Sequence, residues 1–130
     1  MRWLAFLFVL LCGCHRPLPP GSFLLGPDAD VRLAPGDRLR TARRAPDAFT
    51  FLDVVEDSRC PIGVQCIQAG RAVVRVAVLR NGQSVTETLT VDGNSVMTDQ
   101  GELRIEQLEP YPDASADGPE PYRLLVRLGK

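Results

Sequence analysis

The dipeptide Asn81-Gly82 lies between two runs rich in β-branched residues, 72–80 and 83–91, and it constrains the fold more than any other feature. A two-residue type I′ turn needs positive φ at both central positions, and Asn-Gly meets that need best. The turn fixes the register. Arg80 faces Gln83, Val78 faces Val85, Val74 faces Leu89 and Ala72 faces Val91, which puts an apolar stripe on one face of the hairpin. Arg75 opposite Thr88 and Ala77 opposite Thr86 make the other, solvated face. Glu87, opposite Val76, is the misfit on the apolar stripe; it is expected at an open rim or beside an arginine, because an unpaired carboxylate is costly to bury.

The same grammar extends along the chain. Short runs that read as strands, 30–33, 38–41, 49–55, 103–108 and 122–128, are separated by Gly, Pro and Asp, and no segment carries helical periodicity. Tyr122, Leu124, Val126 and Leu128 alternate with Arg123 and Arg127, as a half-buried closing strand should. The stretch 110–121 is a loop by composition, with four prolines and Asp113, Asp117 and Glu120. The expected fold is all-β, a single antiparallel β-sandwich or partly closed barrel.

The N-terminus reads as an export signal. Arg2 precedes an apolar run from Trp3 to Leu11, and Leu11-Cys12-Gly13-Cys14 follows. The run is about half of the roughly 20 residues a membrane-crossing helix needs, and the aliphatic and small residues before Cys14 have the layout of a lipoprotein processing site. Cys14 is therefore the expected lipidation site, since Leu11 is too bulky to precede a modified Cys12. The expected organisation is a signal peptide over 1–13, a lipidated cysteine and Pro-rich tether over 14–29, and a β domain over 30–130. About 115 residues remain after processing, enough for one core. The residue after the lipidated cysteine is His15 rather than an Asp, so in a diderm host attachment to the outer membrane, facing the periplasm, is expected.

With Cys12 removed and Cys14 acylated, Cys60 and Cys66 remain as the pair expected to form a disulfide in an oxidising compartment. Two cysteines and the single His15 are too few for a zinc site, so no metal is expected. The 15 basic and 16 acidic residues nearly cancel, which argues against nucleic acid as a partner. Arg38, Arg40, Arg43 and Arg44 offer a basic patch that Asp37 and Asp47 weaken. Asp92-Gly93-Asn94-Ser95 lacks the oxygen spacing of a calcium loop and reads as a turn. There is no Gly-x-Ser-x-Gly elbow, no phosphate loop and no Cys-x-x-Cys. No carboxylate pair stands out, no cofactor is indicated, and the chain is expected not to be an enzyme.

One segment has a distinctive pattern: Glu56-Asp57-Ser58-Arg59-Cys60-Pro61, then Cys66-Ile67-Gln68-Ala69-Gly70. Asp57 and Ser58 can accept main-chain hydrogen bonds at a strand end, Arg59 can pair with Asp57, Glu56 or Asp53, and the cysteines close the loop. Such a knot is first structural, but a pinned loop with an arginine and carboxylates is also a binding surface. Asp57, Ser58, Arg59 and Gln68 are the candidate binding residues. The segment resembles the signature of a family of small bacterial envelope lipoproteins of unknown function. Leu33-Ala34-Pro35-Gly36-Asp37, Pro110-Tyr111-Pro112 and 122–128 are similar to its flanking segments. The departure is Gln68, where that pattern carries tryptophan. The resemblance implies an all-β lipoprotein and names no reaction. Together these readings suggest a membrane-tethered, non-catalytic binding module for an envelope protein or small ligand. The alternatives are an inhibitor of an envelope-directed hydrolase, similar to lysozyme inhibitors, and, behind it, a carboxylate-based enzyme.

Overall fold

The computed structural model describes residues 19–26, 29–40, 42 and 44–129. Cys14, the expected signal peptide, most of the expected tether, and residues 41 and 43 lie outside the described residues. The strands are β1 (Ser22–Leu24), β2 (Asp30–Leu33), β3 (Arg38–Arg40), β4 (Phe49–Asp57), β5 (Ala72–Arg80), β6 (Gln83–Thr90), β7 (Ser95–Thr98), β8 (Gly101–Glu109) and β9 (Arg123–Leu128). They form two sheets, β1-β3-β4-β5-β6 and β2-β9-β8-β7. Each keeps its own edges, so the architecture is a sandwich and not a closed barrel.

The core sits between the sheets. Phe49, Phe51, Val74, Val76 and Val78 from the first meet Leu33, Leu103, Ile105, Leu108, Leu124 and Val126 from the second, all fully or almost fully buried. Their removal from water, roughly 1.5–3 kcal/mol for each large side chain, is the main force holding the layers together. Alternation in β5 and β9 delivers these residues to one face, as expected.

The central hairpin has the expected geometry. Asn81 and Gly82 have φ of 51° and 71°, and Arg80↔Gln83, Val78↔Val85, Val76↔Glu87 and Val74↔Leu89 are paired. The Asp99 carboxylate caps the turn, accepting from the Asn81 amide at 2.7 Å and the Gly82 amide at 2.6 Å. Glu87 is bonded to Arg80, one of the two settings expected for its misfit position.

Several features differ from the sequence reading, which did not anticipate the strand β7 at all. One strand pair, β1 with β3, is parallel: the intervening β2 belongs to the opposite sheet, so the chain returns to β3 in its original direction. Ser22–Leu24, inside the stretch assigned to the tether, is a strand followed by the buried Leu25. Three residues are too few to show a period beside Pro19, Pro20 and Gly21. Finally, β4 carries irregularities between Phe51 and Asp53 and between Val54 and Glu56. The first turns Val54 toward the core and leaves Asp53 outside with Arg75. The second exposes Val55 and returns Asp57 to the inner side, opposite Ala72.

Candidate functional site

At one end of the sandwich, β4 runs into the 58–71 loop and β8 into the 110–122 loop. The inward-facing Asp57 meets Arg59 there in a two-pronged ion pair, with Nε and Nη2 donating to the carboxylate at 2.8 and 2.7 Å. Arg59 also donates to the main-chain oxygens of Leu108 at 2.7 Å and Pro110 at 3.0 Å. Its guanidinium lies 4.8 Å from the centre of the Tyr111 ring. The Tyr122 hydroxyl donates to Asp57 at 3.2 Å. This network joins the end of the first sheet to β8 and β9 of the second. The side chains of Arg59 and Asp57 are only 10% and 7% exposed, and such a pair is favourable only when its remaining polar atoms are also satisfied, as here.

The electrostatics follow. Hydrogen bonds from Arg59 hold the Asp57 carboxyl below the ordinary carboxylate range against the opposing effect of burial. Asp57 in turn pushes Arg59 further up. Burial, with the nearby Asp57 charge, pushes the Tyr122 phenol up. Arg59 is thus fixed in charge and position and acts as a permanent latch, not as a titrating group.

The base of the loop is closed by a second set of contacts. Ser58 and Arg71 pair through the main chain at 2.9 Å, while Ser58 Oγ accepts from the Arg71 amide at 3.1 Å. Ser58 Oγ also lies 2.9 Å from Glu56 Oε1, and Arg71 reaches the other Glu56 oxygen at 3.3 Å. Cys60 and Cys66 are joined by a disulfide with Cα atoms 5.9 Å apart, as the cysteine count suggested. The Ile62 amide donates to Pro112 at 2.9 Å and the Ala114 amide to Ile62 at 3.2 Å, strapping the two loops together.

On this base the outer loop is held open to solvent. Ile62 and Val64 are half exposed or more, and Ile67 is fully exposed. From Cys60 to Gly70 no residue is charged. Beside the loop a cleft of about 410 Å³ is lined by Pro110, Tyr111, Pro112, Pro119 and Tyr122, with Asp57, Asp113 and Glu120 at its polar positions. Asp57 is neutralised by Arg59. Asp113 is held low by Ser115, whose amide and hydroxyl both bond it.

Of the four candidate binding residues, Asp57 and Arg59 are bonded to each other, Ser58 bonds instead to Glu56 and Arg71 at the loop base, and Gln68 lies exposed on the outer loop. The other candidate partners of Arg59 go elsewhere, Glu56 to Arg71 and Asp53 to Arg75. Neither Asp53 nor Glu87 lines the cleft. Within the basic patch Arg38 and Arg40 share the carboxylate of Asp47. Gly93, with φ of 81°, turns the chain between β6 and β7. Among the described residues no group of three or more His, Cys, Asp or Glu side chains could hold a metal ion. Sequence reasoning missed the roles of Tyr111, Tyr122 and the exposed Ile67. Tyr122 was legible only as a strand residue, and nothing local announces that Arg59 reaches carbonyls 49 and 51 positions away.

No protein family, no curated protein and no solved structure matches this chain.

Proposed function

We propose that the chain is a lipid-anchored envelope protein whose β domain is a non-catalytic binding module, with the disulfide-closed loop as its contact surface. The observation that carries this reading is Ile67. Together with Ile62 and Val64, each half exposed or more, it makes an apolar patch on a loop fixed by a disulfide and by the Arg59 latch, a surface suited to a partner's pocket. Pre-fixing the loop lowers the ordering cost of association. The anchor rests on Leu11-Cys12-Gly13-Cys14 and on the resemblance of the Cys60 segment to small envelope lipoproteins.

The partner that suits this surface is a protein with an apolar pocket and a basic rim, because the loop carrying Asp113 and Glu120 is strapped to the uncharged tip through Ile62. Inhibition of an envelope-directed hydrolase is the second reading, favoured by a loop that presents Ile62, Val64 and Ile67 to solvent. The test is affinity capture from solubilised envelope with wild type and Ile67→Asp in parallel. A protein retained by wild type and lost with Ile67→Asp, while the variant keeps its melting temperature, supports the reading. Equal capture by both overturns the assignment of the loop. Assay of the captured protein for hydrolase activity, with and without the module, separates inhibition from simple docking.

A further inference from the structure

The geometry points to a second contact surface, independent of the loop: the open edge of β6, which we propose pairs antiparallel with the β6 of a second copy of this chain. The first sheet ends at β6, and among the described residues no strand pairs with its outer side. The two-residue turn and the Val91 amide donating to Ala72 at 2.9 Å turn the main-chain groups of the odd-numbered residues of β6 toward β5. Those of Ser84, Thr86, Thr88 and Thr90 point outward, by the alternation of an antiparallel ladder.

Exposed edges are normally blunted by proline, lysine, a bulge or an inward charge. This one is eight residues long, has no proline or lysine, and pairs with β5 without a register shift. Its one charge, Glu87, does sit on the core side opposite Val76, but it is neutralised there by the two-pronged pairing with Arg80. The first sheet is also one strand wider than the second. The core-side residue Val85 is left 41% exposed.

A second copy fits this edge by symmetry. With a two-fold axis at Val85, the two Val85 side chains meet as a close non-hydrogen-bonded pair, Ser84 and Thr86 exchange main-chain hydrogen bonds across the axis, and Gln83 faces Glu87. The parity keeps both core sides on the same face, so the two five-stranded sheets continue into one. A register centred on Glu87 sets like charges opposite and is disfavoured. The pairing thus buries the exposed apolar side chain of β6 and leaves no charge opposed.

The experiment is sedimentation velocity on the full chain in mild detergent at micromolar concentration, with wild type, Thr86→Pro and Val85→Lys. Proline at Thr86 removes an outward amide and leaves the β5 ladder intact, a position where edge strands accept it. Val85→Lys puts two cations on the axis. The expected result is a wild-type dimer and two monomeric variants, each with a wild-type melting temperature. A wild type that is monomeric overturns the proposal, as does a dimer that persists in either folded variant. If Thr86→Pro does not fold, Val85→Lys decides. A monomeric wild type that copurifies with another protein through this edge would assign it to a foreign strand and likewise overturn the second copy.

Discussion

A β-carbon on Gly70 would lie 1.4 Å from the carbonyl oxygen of Ser58. The two ends of the exposed loop cross at a distance that only glycine permits, which is what brings Ser58 and Arg71 into register at the loop base. Nothing in that contact is a flexible side chain able to move aside.

Gly70→Ala should therefore open the loop base. The expected cost is at the upper end of the roughly 1–3 kcal/mol seen for overpacked sites, read as a lower urea midpoint with an unchanged slope. Gly63→Ala is the control: open space surrounds its missing β-carbon and only its φ of 85° opposes substitution. It should cost about 1 kcal/mol.

Removing the cation of the latch should be worse than removing one of its hydrogen bonds. Arg59→Met leaves Asp57 largely buried without its cation and should cost about 3 kcal/mol or more. Tyr122→Phe, which deletes one hydrogen bond to Asp57, should cost about 1 kcal/mol. Chemical denaturation of the two variants beside wild type checks the order.

The latch also sets a pH dependence. The folded Asp57 carboxyl titrates below its unfolded value of about 4, so its contribution is complete above that value and is lost as pH falls through the lower folded one. Thermal melts from pH 6 to pH 2 should show the wild type losing stability in acid, with a shallower slope for Asp57→Asn. Equal slopes would remove Asp57 from this role.

Cys66→Ser should lower stability by about 2 kcal/mol, the chain-entropy value for so short a loop. Non-reducing peptide mapping of exported protein should find Cys60 and Cys66 joined, and reduction of the wild type should reproduce the variant's midpoint.

Acylation should depend on Cys14 alone. Palmitate labelling should be lost in Cys14→Ser and retained in Cys12→Ser; labelling that persists without Cys14 would refute the anchor. His15→Asp should shift the acylated protein toward the inner-membrane fraction in a diderm host.

Local chemistry determined much of this protein by itself. Asn81-Gly82 sets a turn whose register propagates outward one residue at a time, so pairs as distant as Val74 and Leu89 were legible. Alternation in 72–80 and 122–128 named the core residues Ala72, Val74, Val76, Val78, Leu124 and Val126 for the same reason: a pleated strand has a fixed period. The disulfide followed from counting cysteines. What tertiary structure alone decided are the relationships that cross between sheets or depend on a neighbouring strand. The irregularities of β4 arise because Val54 must meet the core while Asp53 meets Arg75, and that competition is settled only when β5 lies alongside. The parallel β1–β3 pair exists because β2 crosses to the other sheet. Asp57 and Arg59 were readable as neighbours, but their anchoring to Leu108, Pro110, Tyr111 and Tyr122 was not. Such contacts join segments some fifty or more residues apart, and no local pattern encodes them. They follow from the hydrophobic packing of two sheets, which brings those ends together and leaves Ile67 in water.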